Sequence, residues 1–325
     1  MQVNWKSMIS QTNRRRRMNT KKILPVLRKK YHKKWKYVLV MLPILFFYVL
    51  FSIYPNIQIL PMSLYEWSPI RTAKTFVGWH NFEILFTVQW EDTIDRIGNA
   101  LLYIVGLFVI QTIVSLILAL VLQKNTKKNG FFRAYFFLPM VFSTTMVSLT
   151  WAYMFDPNLG VINTVLGIFG IEGYPGTNLF AENWQAILLI VLVHIWANIG
   201  YPMTILISGL NTISSDLNEA ATVDGANSWQ IFSKITFPLL LPTLLRLSLL
   251  TITTGAMASD FIVMLGSRSS MVPYDTLASW MYKQTLLSTD YGMVSAAAVV
   301  MFVFLAVASL IQFVAMQKIE NKILG

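Results

Sequence analysis

From residue 37 onward, long apolar runs alternate with short polar connectors. A helix needs about 20 apolar residues to cross the hydrocarbon core of a bilayer. Six runs meet that length: Tyr37–Leu60, Ile97–Leu122, Phe131–Phe155, Gln185–Leu210, Leu239–Leu265 and Met293–Met316. Pro43 and Pro55 interrupt the first, which membrane helices tolerate where neighbours satisfy the freed carbonyls. Trp35, Tyr37, Trp151, Tyr153, Trp184 and Tyr291 fall near run ends, where amphipathic rings suit the headgroup layer. The pattern predicts an all-α, polytopic membrane protein. Its parts are a tail over 1–36, a six-helix domain over 37–317 and a short C-terminal piece over 318–325.

Composition supports the membrane reading. Hydrophobic residues are 55% of the 325 and charged residues 13%, about half the charged share usual in soluble domains. The net charge of +11 is concentrated at one end. Of the 26 Lys and Arg residues, 13 precede Tyr37, and the first acidic residue is Glu66. The excess is a tail rather than a nucleic-acid-binding face. The long basic region and the lack of a small-x-small cleavage site after the first run predict an anchor that is retained.

Basic residues in short loops orient such a chain. The tail and the connector with Lys124, Lys127, Lys128 and Arg133 are expected in the cytoplasm. The loop around Asp156, Glu172 and Glu182 has no Lys or Arg and is expected outside. Alternation then puts loop 211–238 and both termini in the cytoplasm.

That loop reads as two short helices around a tight turn. Asp216 and Glu219 have capping-box spacing, Ala220 and Ala221 favour helix, and Gly225 suits a helix end with positive φ. Asn227 or Ser228 is placed to cap a second helix, Trp229–Lys234, with Trp229 and Phe232 on one face. Pro238 and Pro242 are expected to stop it and start the next span. A helix held between two spans is suited to act as a lever.

Glu219-Ala220-Ala221, Gly225, Ile235 and Phe237-Pro238, at their spacing here, resemble the EAA loop of binding-protein-dependent ABC importer permeases. The likeness extends to the sugar-importer branch, the maltose- and glycerol-phosphate-permease type. Its third-span signature resembles Phe132-Arg133, Phe137-Leu138-Pro139, Trp151, Phe155, Pro157, Gly160 and Asn163. Trp196, Gly200, Leu210 and Ile213 follow in the expected order, and Val77-Gly78-Trp79-His80-Asn81-Phe82 is similar to the first outer loop. The resemblance spans Val38–Gln317. Ser214-Ser215 and Phe237 depart from the usual residues there, as does the turn at Gly266-Ser267-Arg268-Ser269-Ser270.

The resemblance implies an ABC type I importer permease fold and a non-catalytic transport subunit of a bacterial inner membrane. It implies a second homologous permease, an ABC ATPase dimer that binds ATP and Mg, and an extracytoplasmic solute-binding protein as partners. The chain itself has no phosphate-cradling loop and calls for no cofactor. Coupling to the ATPase is assigned on this likeness to Glu219, Ala220, Ala221, Asp224, Gly225, Trp229 and Phe232. The implied cargo is carbohydrate, an oligosaccharide, with fragments of acidic polymers such as alginate or pectin as one option.

Polar residues within spans are functional candidates by default. His194, Asn198, Asp260 and Asn99 are candidates for the pore or the substrate, with Gln111 a further polar residue of the second run. Hydrogen bonding between helices is the competing role for His194 and Asn198, and solvent exposure or a gate contact the competing role for Asp260 near the outer end of its span. Trp280 and Tyr282 are candidate contacts for the binding protein. His32, His80 and His194 lie far apart, which predicts no metal site. A secondary transporter working without an ATPase is the rival function. It would call for intramembrane carboxylates or paired broken helices in two related halves.

Overall fold

The computed structural model describes residues 39–68, 74–171, 178–180, 182–266, 274–287 and 290–324. The basic tail over 1–36, His32, Glu172 and the turn after Gly266 lie outside the described residues.

α1 (Leu39–Met62) is one continuous apolar helix. Val40, Ile44, Phe46 and Phe51 are among its exposed side chains. Pro55 has no N–H to give, and its ring crowds the carbonyl one turn back. The helix absorbs this by widening into a π-turn at Val49–Ile53, closed by the Tyr54 N–H donating to Val49 O.

From Met62 onward the chain forms a second compact unit. A two-stranded antiparallel ribbon, β1 (Tyr65–Glu66) with β2 (Thr75–Phe76), pairs Tyr65 with Phe76. The helices that follow are α2 (His80–Phe86), α3 (Trp90–Leu122), α4 (Lys127–Phe137), α5 (Thr144–Met154), α6 (Val161–Ile168), α7 (Asn183–Asn198), α8 (Gly200–Leu210) and α9 (Ser215–Val223). α10 (Ser228–Ala256), α11 (Ser259–Gly266), α12 (Leu277–Leu287) and α13 (Tyr291–Leu324) complete it.

The second run is the single helix α3. It begins earlier than its apolar stretch because Glu91 and Asp92 occupy its first turn, where carboxylates complement the helix dipole. The sixth run is likewise one helix, and α13 continues through the C-terminal piece. The third and fourth runs are not straight. The chain turns by 93° between Lys127–Val141 and Thr144–Met154, and by 58° between Asn183–Asn198 and Gly200–Leu210. The fifth run also breaks, α10 ending at Ala256 and α11 starting at Ser259. Counting each bent pair as one crossing gives six spans.

Local chemistry accounts for the bends. Pro139 draws the end of α4 into a 3₁₀ turn, Leu138–Val141. Ser143 then starts α5 afresh, its hydroxyl accepting from the Met146 N–H at 3.2 Å. Pro202 lies in the first turn of α8, where a missing N–H is harmless. The end of α7 is capped from within, Asn198 Nδ2 donating to His194 O at 3.1 Å.

Between helices in lipid there is little hydrophobic force, and close backbone approach carries the packing. Gly200 shows this most clearly: a Cβ there would lie 2.6 Å from Phe137 Cα and 2.9 Å from Phe136 O. Its lack of a side chain seats the start of α8 against α4. α3 is the central strut and packs on α7, α8 and α10. Tyr103, Leu107, Ile187, Ile190, Val191 and Phe261 form one buried cluster. Met203, Leu206, Leu240 and Leu244 belong to a second, at the other end of the same struts.

Several residues of the third-run signature have structural roles. Arg133 Nε and Nη2 donate to Leu122 O, and Nη2 also to Gln123 O at 2.8 Å, so a cation covers the negative end of α3. Asp156 Oδ1 accepts from the Asn158 and Leu159 N–H groups at 3.0 Å each. Buried Asn163 Nδ2 donates to Phe155 O and Asp156 O. Asn81 does similar work in the first loop, donating to Ser63 O at 2.8 Å and Tyr65 O at 3.1 Å.

Candidate functional site

The loop over 211–238 is built almost entirely from local bonds. The Ser214 hydroxyl, not Asp216, caps α9, accepting from the Asp216 N–H at 3.3 Å. The expected Asp216–Glu219 capping box is therefore replaced by a serine cap, with Ser215 at the first helical position. α9 ends at Gly225, whose φ of 81° is left-handed. The Ala226 N–H donates to Ala221 O at 2.9 Å and the Gly225 N–H to Thr222 O at 3.1 Å, the hydrogen-bond pair of a Schellman turn. Asn227 opens α10 with a reciprocal box: its Oδ1 accepts from the Gln230 N–H at 2.9 Å, and its N–H donates to Gln230 Oε1 at 2.8 Å.

Pro238 does not stop the second helix. α10 runs from Ser228 through it into the membrane. The same device as at Pro55 makes this possible: a π-turn at Phe232–Thr236, closed by the Phe237 N–H on Phe232 O. The second short helix of the loop and the fifth span are therefore one continuous helix.

α9 buries none of its residues. Glu219, Ala220, Asp224 and Gly225 are exposed and Ala221 is half-buried. Val223 at 88% and Trp229 at 71% exposure flank the turn, so this surface offers an apolar contact on either side of Gly225. Phe232 differs. It is half-buried and lines a cleft of about 250 Å³ with Leu120, Leu210, Ile213 and Asn218, so it faces back toward the spans.

The second site is a cavity of about 440 Å³. Met140 and Thr144 flank the break in the third span, and Asn198, Tyr201 and Pro202 the break in the fourth. Ala258, Asp260 and Phe261 follow the break after α10, and all eight line the cavity. Irregular backbone at membrane depth is tolerated where it is buried in protein or lines water. Here three breaks converge on one hollow. Gln111 enters it from unbroken α3; it is 7% exposed, and its Oε1 is buried without a protein partner.

The structure thus brings together three of the four pore candidates. His194 both lines the cavity and bonds between helices, its Nδ1 2.6 Å from the Tyr103 hydroxyl, with its ring 4.6 Å from that of Phe261. Asn99 lies elsewhere. Its Nδ2 donates to Asp275 O at 3.0 Å and its Oδ1 accepts from Asn183 Nδ2 at 2.8 Å, which ties α3 to α7 and to the approach of α12. Trp280 is 7% exposed and stacks under Arg96 at 4.8 Å, so it is not presented to a partner; Tyr282 is half-buried. Tyr103 was not singled out by sequence: nothing local marks it, and its partner is 91 residues away.

A family model described as "Binding-protein-dependent transport system inner membrane component" matches residues 96–321, more than half of the chain. The chain belongs to this family.

The permease is 29% identical over 294 residues to the multiple sugar-binding transport system permease protein MsmF of Streptococcus mutans, covering 90% of this chain and 99% of that protein. It is 28% identical over 269 residues to the trehalose/maltose transport system permease protein MalF of Thermococcus litoralis, covering 82% and 88%. Its fold matches a chain of a bacterial ABC transporter involved in import of the acidic polysaccharide alginate, with a TM-score of 0.76, 21% identity and coverage of 90% and 98%. A second match, at a TM-score of 0.73, 21% identity and coverage of 91% and 97%, is to the alginate transporter in complex with an alginate pentasaccharide-bound periplasmic protein. The permease is a multi-pass inner-membrane subunit of an ABC importer, with the importer permease fold that the resemblance implied.

Proposed function

We propose that this permease carries carbohydrate, an oligosaccharide, through the cavity at the three helix breaks, and that the Ser214–Pro238 unit couples it to an ATPase. Both termini and this unit then lie in the cytoplasm. A pair of ATPase subunits binds ATP and Mg, a second permease completes the pathway, and an extracytoplasmic binding protein delivers the cargo.

The observation that carries the reading is the continuity of α10. One helix begins at the exposed turn beside Gly225 and ends at the cavity, with Leu247, Leu250, Thr251 and Thr254 along its wall. A push on Glu219, Ala220, Ala221, Asp224 and Trp229 is transmitted along that rod to the cavity lining. Phe232 transmits rather than docks, since it faces the cleft behind the unit. The lining suits sugar hydroxyls: Gln111, Thr144, Asn198, Thr251, Thr254 and Asp260 supply donors and acceptors, and the MsmF and MalF relatives serve sugar systems by name.

The test is reconstitution. The permease purified with its partner subunits and supplied with loaded binding protein should hydrolyse ATP faster when an oligosaccharide is present. Uptake driven by an ion gradient with no ATPase present would overturn the proposal in favour of a secondary transporter.

A further inference from the structure

Among the described residues that line the cavity, Asp260 is the one acid, and there is neither Lys nor Arg. Asp260 is exposed, and its Oδ1 accepts one long hydrogen bond, from the Ser259 hydroxyl at 3.5 Å. A carboxylate accepts at several positions and donates at none, so most of this capacity is left for what enters the hollow. The neutral lining groups lean the same way. Thr251 and Thr254 give their hydroxyl protons to helix carbonyls, Leu247 O at 3.0 Å and Leu250 O at 2.8 Å. Asn198 turns its Nδ2 back to His194 O at 3.1 Å, which leaves Oδ1 to accept. Gln111 Oε1 is buried without a protein partner. The lining is rich in acceptors, a carboxylate among them.

A neutral sugar matches such a lining. Each of its hydroxyls has a proton to donate, and a carboxylate accepts it in a charge-assisted bond. A uronate matches it poorly. Its carboxylate has no proton to give and finds no Lys or Arg in the lining. It also meets Asp260 with the same sign of charge, a juxtaposition that rejects wrong partners at interfaces.

We propose that Asp260 is a specificity-determining residue of the pathway, favouring a neutral, hydroxyl-rich carbohydrate over one that bears carboxylates. This rests on the carbohydrate reading above and narrows its substrate class.

The experiment uses the assembled complex with its binding protein in proteoliposomes. The probes are a pool of neutral glucose, galactose and mannose oligosaccharides, and the same pool with its primary hydroxyls oxidised to carboxylates. The wild type should take up the neutral pool at the higher initial rate. Asp260→Asn keeps the shape and removes the charge. It should slow the neutral pool about threefold and speed the acidic pool about threefold, so that the preference falls about tenfold; Asp260→Glu should keep the preference. The binding protein is the same in every complex, so a change in preference belongs to the permease. A preference that Asp260→Asn leaves unchanged would overturn the inference, as would failure of that variant to copurify with the second permease, which would make Asp260 a structural residue. Faster wild-type uptake of the acidic pool would overturn the inference and leave the carbohydrate function standing. Uptake from neither pool would overturn both.

A second measurement needs no cargo. The chain has no cysteine, and Thr254→Cys puts a thiol on the wall of the same cavity. It should react faster with a cationic than with an anionic methanethiosulfonate of similar size, and adding Asp260→Asn should lower that rate ratio about tenfold. An unchanged ratio would overturn the inference and leave the carbohydrate reading untouched.

Discussion

The lever and the cavity are made by opposite means. In the lever, hydrogen bonds join residues two to five apart: Ser214 with Asp216, Ala221 with Ala226, Asn227 with Gln230. In the cavity the decisive contact joins Tyr103 to His194 across two spans, and the hollow exists because α4, α7 and α10 break at one level. A locally bonded unit keeps its shape while it moves as a body, which suits a coupling element. A cavity assembled from three breaks changes shape whenever the helices shift, which suits a path that opens and closes.

The lever is where a substitution should do most. Gly225→Pro cannot adopt φ of 81°, because proline fixes φ near about −65°. Membrane insertion and cargo binding should survive, while cargo-stimulated ATPase activity of the assembled complex is abolished. A normal stimulation ratio in that variant would remove the lever from the account.

Gly200→Ala attacks the scaffold of the cavity instead. Its new methyl meets the backbone of Phe136 and Phe137, and overpacking of this kind costs about 1–3 kcal/mol. A lower detergent-phase melting temperature and a weaker cargo response should appear together. A change in stability alone would show that the α4–α8 contact does not shape the cavity.

Within the cavity, Gln111→Leu should raise the half-saturating cargo concentration about tenfold, as loss of one buried hydrogen-bonding group does, with the maximal rate little changed. Tyr103→Phe keeps the ring but releases His194, and a smaller rise, about threefold, is expected. Titration of transport against cargo concentration measures both. An unchanged value for Gln111→Leu would mean that its buried Oε1 serves the fold.

The smallest effect is expected at Asn227. Replacing it by Ala removes a helix cap, usually about 1 kcal/mol, and should loosen the second lever helix with a partial loss of coupling. Hydrogen exchange at the Ser228–Ile231 amides tests it; unchanged protection would mean that the continuing helix holds that turn without the cap.

The same contrast explains what the sequence discloses. Gly225, Asn227 and the two alanines announce the lever because their preferences are intrinsic to a few neighbouring residues. The six apolar runs announce the crossings for the same reason. The bends were not legible. Pro139 and Pro202 are visible in the sequence, yet Pro238 stands in a similar context and is absorbed by a π-turn. Whether a proline bends a helix depends on what packs beside it, such as Gly200 against Phe137. Asn99 and His194 look alike as polar residues in apolar runs. Asn99 meets Asp275 and Asn183, whereas His194 meets a cavity, and only the assembled fold separates them.

Motion of the lever should change access to the cavity. The chain has no cysteine, so Thr254→Cys places a single thiol of this subunit on the cavity wall. Labelling by a membrane-impermeant maleimide, applied from each side of the membrane, should switch sides when the complex is trapped with ATP. In the Thr254→Cys, Gly225→Pro double variant it should stay on the resting side. Switching that persists in the double variant, or no switching in the single variant, would contradict the claim.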